Sequence, residues 1–509
     1  MNSTRMIITV ACMIATLMQA LDSTIANVAL PYMQGSLSAS YDQITWVLTA
    51  YIAAVAIMAA PVGWLAARFG RKRLLIFCVA GFTIVSMLCG IATSLPQIVL
   101  DRIAQGAFGA ALVPLSQSTM LDIYPVERRG NAMAIWGMGV MVGPIMGPTL
   151  GGYLTSMYDW RYVFFVNLPF GILAIAGLLF CMPKDEPAQE MRFDWTGFLV
   201  LSLGIGALQI GLDRGEELDW LSSPFIVTCA ILSVVGLYLF LVHMFTAPNP
   251  FIPRAIFKDR TFNVSMVASF SIGLTLLAAS ALMAPYLETL NNYPVLNAGF
   301  LMSPRGIGTM LAMLVAGRVL RTTGPRPLII AGNIVMLLSF WSMTRWTPDI
   351  SPQIIVTTTF AQGAGIGLIF TSLQVVTFET LPAVFRTQAS SLIYLIRNVG
   401  SAIGVSLTSA VLDHTAQAEH SVLTGYITPF ARPLQAGGAV THFLNPSTPG
   451  GATILKSMID TQSQIIAYAN DYKFLLIISV PAALSVFLMR KPQPNTQIAP
   501  ADLAELAAD

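Results

Sequence analysis

The sequence predicts an all-α polytopic membrane protein, and three observations carry that prediction. Of its 509 residues 55% are apolar and only 10% are charged, with a mean hydropathy of +0.69. Soluble domains carry about 25% charged residues, so this chain lacks the polar surface that a water-soluble body of its size needs. Apolar runs of the ~20 residues required to cross a hydrocarbon core recur along its length, and basic residues gather in alternate connections.

The runs lie near 7–29, 44–66, 74–94, 97–119, 131–154, 162–182, 195–213, 223–244, 262–286, 298–319, 328–346, 353–376, 389–411 and 473–490. These are 14 transmembrane helices, in which the pair within 195–244 interrupts two groups of six. The domain plan is a six-helix bundle over 1–194, two additional spans and a linker over 195–261, and a second six-helix bundle over 262–509. The first run carries Asp22 and has no small-residue cleavage pattern, so it reads as a retained span and not a signal peptide. An even number of spans puts both termini on one face. That face receives Arg5, Arg68, Arg71, Lys72, Arg73, Arg128, Arg129, Lys184, Arg192, Arg254, Lys258, Arg260, Arg318, Arg321, Arg326, Arg386, Arg490 and Lys491, eighteen of the 27 Lys and Arg. Short connections on the other side keep Arg161, Arg214 and Arg345. The asymmetry assigns the basic face, with both termini, to the cytoplasm. The segment 413–472 then forms one long loop on the far side, with a turn at Thr448-Pro-Gly-Gly451 and a helical stretch over 452–471.

Several chemistries are excluded. Five cysteines fall inside apolar runs without CxxC spacing, four histidines show no metal-site pattern, and no GxxxxGK[ST] loop occurs. No cofactor is expected, no ATP-driven pump is encoded here, and a net charge of +2 gives no reason to expect nucleic acid.

A faint repeat joins the halves. Gly63-Trp-Leu-Ala-Ala-Arg-Phe-Gly-Arg-Lys-Arg73 follows span two, and Gly317-Arg-Val-Leu-Arg-Thr-Thr-Gly-Pro-Arg326 follows span ten. Each places a glycine, basic residues and a second glycine (Gly70, Gly324) in a short basic-face connection, at equivalent positions of a six-plus-six plan. Transporters built on such repeats bind substrate near the midplane between the halves.

The first run contains Leu21-Asp-Ser-Thr-Ile-Ala-Asn-Val-Ala-Leu-Pro31. An intramembrane carboxylate is costly unless it meets a partner or a cavity, which makes Asp22 a candidate for loading and releasing a proton. Arg102 lies inside span four and stays charged, so it needs an acceptor. Asp101 beside it is either a second coupling carboxylate or a group on the wetter side of the helix. The stretch 139–152 carries five glycines, Gly139, Gly143, Gly147, Gly151 and Gly152, and two prolines, Pro144 and Pro148. It suits close helix contact and bending.

Taken together, these motifs resemble the fourteen-span drug:proton antiporters of the major facilitator superfamily. Asp22 and its flanks match the first-span motif, Gly63, Arg68, Gly70 and Arg71 the loop signature, Leu100-Asp-Arg-Ile-Ala-Gln-Gly106 the fourth-span arginine motif, and Gly139–Gly152 the fifth-span antiporter motif. Leu208–Trp220 and Pro114-Leu-Ser-Gln-Ser118 look most like the EmrB-type exporters. The resemblance implies a major facilitator fold with two six-helix bundles plus two extra central helices. It also implies proton-coupled export of drugs or other small amphipathic compounds across a bacterial inner membrane, with Asp22 and Arg102 in proton transfer. A symporter or a non-transporting sensor of the same fold is the alternative. The family also implies a periplasmic adaptor (membrane fusion) protein and an outer-membrane channel, with 413–472 as the docking surface. One departure is Ala67, where the superfamily usually has Asp, so the latch built with Arg68 and Arg71 is either weaker or partnered elsewhere. Gln19, Trp46, Tyr51, Trp136 and Gln374 are expected to line a substrate cavity or to fill helix interfaces. Arg305 and Arg397 match family arginines; a structural pair with helix-end carbonyls is expected for Arg397, and Arg305 is left open.

Overall fold

The computed structural model describes residues 3–183, 192–427, 444–445 and 448–488. Lys184, His442, Arg490, Lys491 and the C-terminal tail lie outside the described residues. Among the described residues thirteen helices are long and apolar enough to cross a membrane, and a bent pair makes a fourteenth crossing. In chain order the spans are α1 (Ser3–Ser36), α2 (Trp46–Ala59 with Val62–Phe69), α3 (Arg71–Ile91), α4 (Leu95–Gly109 with Leu112–Ile123), α5 (Arg129–Met157), α6 (Asn167–Cys181) and α7 (Trp195–Arg214). They continue as α8 (Pro224–Thr246), α9 (Arg260–Pro285, prolonged by a π-turn Tyr286–Leu290), α10 (Val295–Thr323), α11 (Pro325–Met343), α12 (Pro352–Thr377), α13 (Arg386–Tyr426) and α14 (Pro449–Ser485). The bend in α2 is 57° and falls beside Pro61, which has no N–H to donate and whose ring crowds the preceding turn.

The fourteen expected runs all become spans, but α1, α13 and α14 outgrow them. Pro31 does not end α1, which continues to Ser36 and leaves Asp22 near its middle. The expected long loop is largely helical. α13 carries on to Tyr426, and α14 begins at Thr448, whose side chain caps Gly451 N at 3.2 Å with Pro449 in the first turn. The Thr448–Gly451 motif is therefore a helix start and not a turn, consistent with the preference for a hydroxyl N-cap and an early proline. His420 Nε2 lies 3.2 Å from Asp460 Oδ1 and ties the two prolongations together. Hydropathy marks only the membrane-depth part of a helix, so these polar ends were invisible to it.

The repeat is visible in the backbone. Gly70 (φ 90°) and Gly324 (φ 74°) are the positive-φ glycines among the described residues, and each turns the chain between consecutive spans of its half. Their upstream partners also match. Gly63 packs directly on Gln388 of α13, and Gly317 on Gly130 and Ala134 of α5. A side chain at either glycine would push the two bundles apart.

Candidate functional site: a buried charge network and the closure beneath it

Five helices of the first bundle converge on Asp22. Arg102 Nη1 donates to Asp22 Oδ2 at 2.5 Å, and both side chains are fully buried. Gln105 Nε2 donates to Asp22 Oδ1 at 2.9 Å, and Asn167 Nδ2 reaches the same oxygen at 3.4 Å. The arginine spends its other donors on Val47 O (3.1 Å) and Gln105 Oε1 (2.8 Å), while Nη2 has no partner. Its guanidinium lies 4.0 Å from the centre of the Tyr51 ring and 5.6 Å from that of Phe164, within cation–π range. Asn167 is held in turn by Ser86 Oγ (3.0 Å), which itself donates to Phe164 O (2.8 Å). A buried charge persists only when paired and hydrogen-bonded, and here each carboxylate oxygen is met by a donor. The arrangement suits an ionised Asp22; adding a proton to it would remove the attraction that fixes Arg102.

The glycine-rich α5 lines the back of this site. Gly143 meets the Ala20–Leu21 backbone, Gly147 meets Thr24, and Gly151 meets Ile25. Spaced by four, these glycines form one stripe against α1 around Asp22. Pro144 and Pro148 point away from the stripe, α5 runs unbroken through both, and Gly152 touches only Val28. Gly143→Leu must drive α1 off α5, and overpacking of this kind costs roughly 1–3 kcal/mol. The expected result is a lowered thermal midpoint in detergent together with impaired transport.

At the basic face the bundles are joined by charge and by packing. Asp122, at the end of α4, pairs with Arg71 of α3 and with Arg386 of α13, the latter at 2.6 Å. The latch that lacks an aspartate at Ala67 is thus partnered by Asp122. At the repeat-related position Glu379 follows α12 and interacts with Arg129 of α5; burial pushes its carboxyl above the usual range, and Arg129 opposes that shift. Between these charges Gln117 of α4 bonds Gln374 of α12 and accepts from Ser390 Oγ of α13 (2.6 Å). Trp136 of α5 stacks on Phe370 of α12, with centroids 6.2 Å apart, and donates to Thr16 Oγ1 of α1 (3.1 Å). Asp122→Asn removes the one acidic group that faces both Arg71 and Arg386. The expected result is greater access of a membrane-impermeant thiol reagent to a cysteine placed at Ser390, assayed from the basic face.

The remaining candidates fall into separate places. Asp101 stands outside the network, beside lipid-facing Leu100 and Ile103, and its Oδ2 has no partner. Tyr51 lies under Arg102, while Trp136 and Gln374 seal the bundle interface; Gln19 is buried on α1. Trp46 sits at the far-face end of α2 beneath the Arg214 guanidinium, 5.5 Å away. Arg305, left open by the sequence, donates to Leu276 O (2.7 Å) and to Ser280 Oγ, both within α9 and not at its end. Arg397 faces the rings of Phe370 (5.3 Å) and Tyr394 (5.5 Å), because α13 presents it to aromatic neighbours and not to a helix end. A cleft of about 250 Å³ lies at the basic face between Tyr124, Arg128 and Arg321, and one of about 360 Å³ lies between His420 and Asp460. None of the expected cavity residues borders either. Gln105 and Asn167 were not singled out as site residues. Gln105 follows Arg102 by three, on the same helix face, and Asn167 is an amide within an apolar span, the kind of residue that marks function there.

Residues 12–412 match the Major Facilitator Superfamily profile. The multidrug export protein EmrB of Escherichia coli (strain K12) is 35% identical over 467 residues, covering 91% of each chain. EmrB of Haemophilus influenzae is 33% identical over 493 residues, covering 96% of each. Among solved structures, the proton:xylose symporter XylE aligns with a TM-score of 0.60 at 14% identity, covering 96% of each chain; that likeness bears on the fold. A fourteen-span helical body with two joined six-helix bundles is a transporter scaffold and not an enzyme. The chain belongs to the Major Facilitator Superfamily, among its EmrB-like multidrug exporters.

Proposed function

We propose that this protein is a proton-coupled antiporter that exports drugs and other small amphipathic compounds across a bacterial inner membrane by alternating access. The observation that carries the reading is the fully buried Asp22–Arg102 pair, whose charges only balance when the carboxyl is ionised. Substrate class follows from the multidrug export relatives, each covered over more than nine-tenths of its length. The basic face is the cytoplasmic one, with both termini on it.

The cycle follows from the two halves of the site. With the bundles closed at the basic face, Asp22 takes a proton from the far side. The neutral acid no longer holds Arg102, the closure through Asp122, Gln117 and Trp136 breaks, and the site opens inwards. Loss of the proton to the cytoplasm remakes the ion pair, and substrate bound inside is carried out as the basic face closes again. In the test, an efflux-deficient bacterial strain expressing the protein is screened against a panel of amphipathic antibiotics and detergents. Raised resistance that disappears with a protonophore supports the reading, and unchanged susceptibility across the panel opposes it.

The same reading includes a periplasmic adaptor that continues the path to an outer-membrane channel. Its docking surface is the helical projection formed by 413–426 and 449–472, which leaves Val422, Tyr426, Ile454 and Met458 exposed. Trimming only the outer tips of both helices, 421–426 with 449–458, which leaves Asp413 in place and Asp471 enclosed, is expected to abolish adaptor capture in a pull-down while leaving reconstituted substrate transport intact. Capture unchanged by the deletion removes this surface as the dock.

A further inference from the structure

A second buried carboxylate lies in the other bundle, outside the network just described. Asp471 on α14 is fully buried, and neither of its oxygens has a hydrogen-bond partner. Four aromatic rings lie together in this part of the bundle. Tyr286, at the end of α9, is 5.3 Å from Tyr468, 6.5 Å from Tyr472 and 5.7 Å from Trp346. The Tyr286 and Tyr472 hydroxyls and the Trp346 indole nitrogen are themselves without partners.

Among the described residues no cation pairs with Asp471. On α10, Arg305 is committed to Leu276 O and Ser280 Oγ and reaches only Tyr472 electrostatically. α11 has Arg326 alone, at its opposite end. α13 contributes Asp413, a like charge close enough to interact. Asp413 also shares a hydrogen bond with Glu216 in the α7–α8 connection, where burial pushes the Glu216 carboxyl up and that bond adds to the shift. An ionised carboxylate in such a place is uncompensated, and buried groups of this kind neutralise instead.

The internal repeat supplies a control. Asp159-Trp-Arg-Tyr-Val-Phe-Phe-Val-Asn-Leu-Pro169 and Asp471-Tyr-Lys-Phe-Leu-Leu-Ile-Ile-Ser-Val-Pro481 share an acid, an aromatic, a basic residue and a proline at the same spacing. In the first bundle Asp159 is half-exposed and paired with Arg161, whose N and Nη1 reach Oδ1 at 2.9 and 3.3 Å. In the second, the prolonged α13 and α14 bury the acid, and Lys473 turns outwards to Asn470 Oδ1 (3.1 Å). One repeat position is thus a solvated pair in one bundle and an unpaired buried acid in the other.

We propose that Asp471 is a second proton-binding site of the transporter, reached from the far face through Glu216 and Asp413. The proposal rests on the antiport reading and extends it to one proton held in each bundle. A proton arriving as hydronium passes along the two carboxyls and forms the O–H bond on Asp471. It leaves past Tyr472 and Arg305, whose neighbour Gly306 packs on Ile145 of α5 at the seam between bundles.

Asp471→Asn preserves the shape of the neutral acid, so folding is expected to be retained, as a wild-type thermal midpoint would show. In proteoliposomes the pH gradient that just balances a known substrate gradient gives the proton:substrate ratio. The wild type and Asp159→Asn are expected to share one ratio, and Asp471→Asn to fall by one proton per substrate. Infrared difference spectra at neutral pH should lose a protonated-carboxyl band in Asp471→Asn. An unchanged ratio, or an unchanged band, overturns the proposal. Asp413→Asn, at an exposed position, should slow proton uptake from the far face several-fold, and an unaltered rate overturns the route. If a pH gradient moves no substrate in the wild type, antiport itself falls, while the infrared band still decides whether Asp471 holds a proton.

Discussion

Asp22→Asn is expected to abolish proton-coupled export while the protein still reaches the membrane. The amide can keep part of the hydrogen bonding around position 22, but it carries no charge and cannot take up or lose a proton. Arg102 is then a buried cation with no counter-ion, since its remaining partners, Val47 O and Gln105 Oε1, are neutral. Breaking one side of a buried pair destabilises by about 3–5 kcal/mol, so the thermal midpoint in detergent should drop as well. Asp22→Asn with Arg102→Gln removes both charges and should recover much of that midpoint, because replacing a whole buried pair is often close to neutral. Coupling should stay absent in the double variant. That contrast separates the two roles of the pair: stability depends on charge balance, coupling on a titratable acid. A single variant that lost export but regained it in the double would place the coupling group elsewhere.

Arg102→Lys is expected to be nearly as damaging, although it keeps the charge. The guanidinium uses separate nitrogens for Val47 O and for Asp22 with Gln105, and lays its flat face against Tyr51. An ammonium is a point donor without that fork and without a stacking face. Charge-assisted hydrogen bonds contribute about 1.5–3 kcal/mol each, so the loss of one corresponds to roughly tenfold or more in any equilibrium that depends on it. The readout is the pH profile of counterflow in proteoliposomes. It should move in Arg102→Lys, because the cation that favours the ionised acid is no longer held in place. A merely structural arginine would lower the amount of folded protein and leave the profile of the remainder unmoved.

Much of this was readable from residue order. Composition and the alternation of basic connections led to fourteen spans because lipid tolerates few alternatives to closed helices, and the structure places a helix on each run. Asp22 and Arg102 were legible because charge inside an apolar run is expensive and therefore informative. Their contact, across three spans, was not, and neither was the part played by Gln105 and Asn167, since an amide inside an apolar span is a weaker signal than a charge and does not name its partner. Asp471 escaped notice for a physical reason. It sits where the apolar run of α14 begins, a position that hydropathy alone makes a wetted helix end. Only the prolongation of α13 and α14, made from polar residues that hydropathy ignores, encloses it. The glycines of α5 were recognised as a close-packing element, but which helix they pack on, α1, depends on tertiary geometry that spacing alone leaves undetermined.

The most direct test of proton-coupled export uses purified protein in liposomes with an exported compound outside and an acidic interior. Antiport predicts that the outward proton gradient drives uptake of the compound above its equilibrium level, that alkalinisation of the lumen accompanies that uptake, and that Asp22→Asn shows neither while still exchanging labelled for unlabelled substrate. Uptake that ignores the pH gradient, or that occurs when protons move in the same direction as the compound, would contradict it.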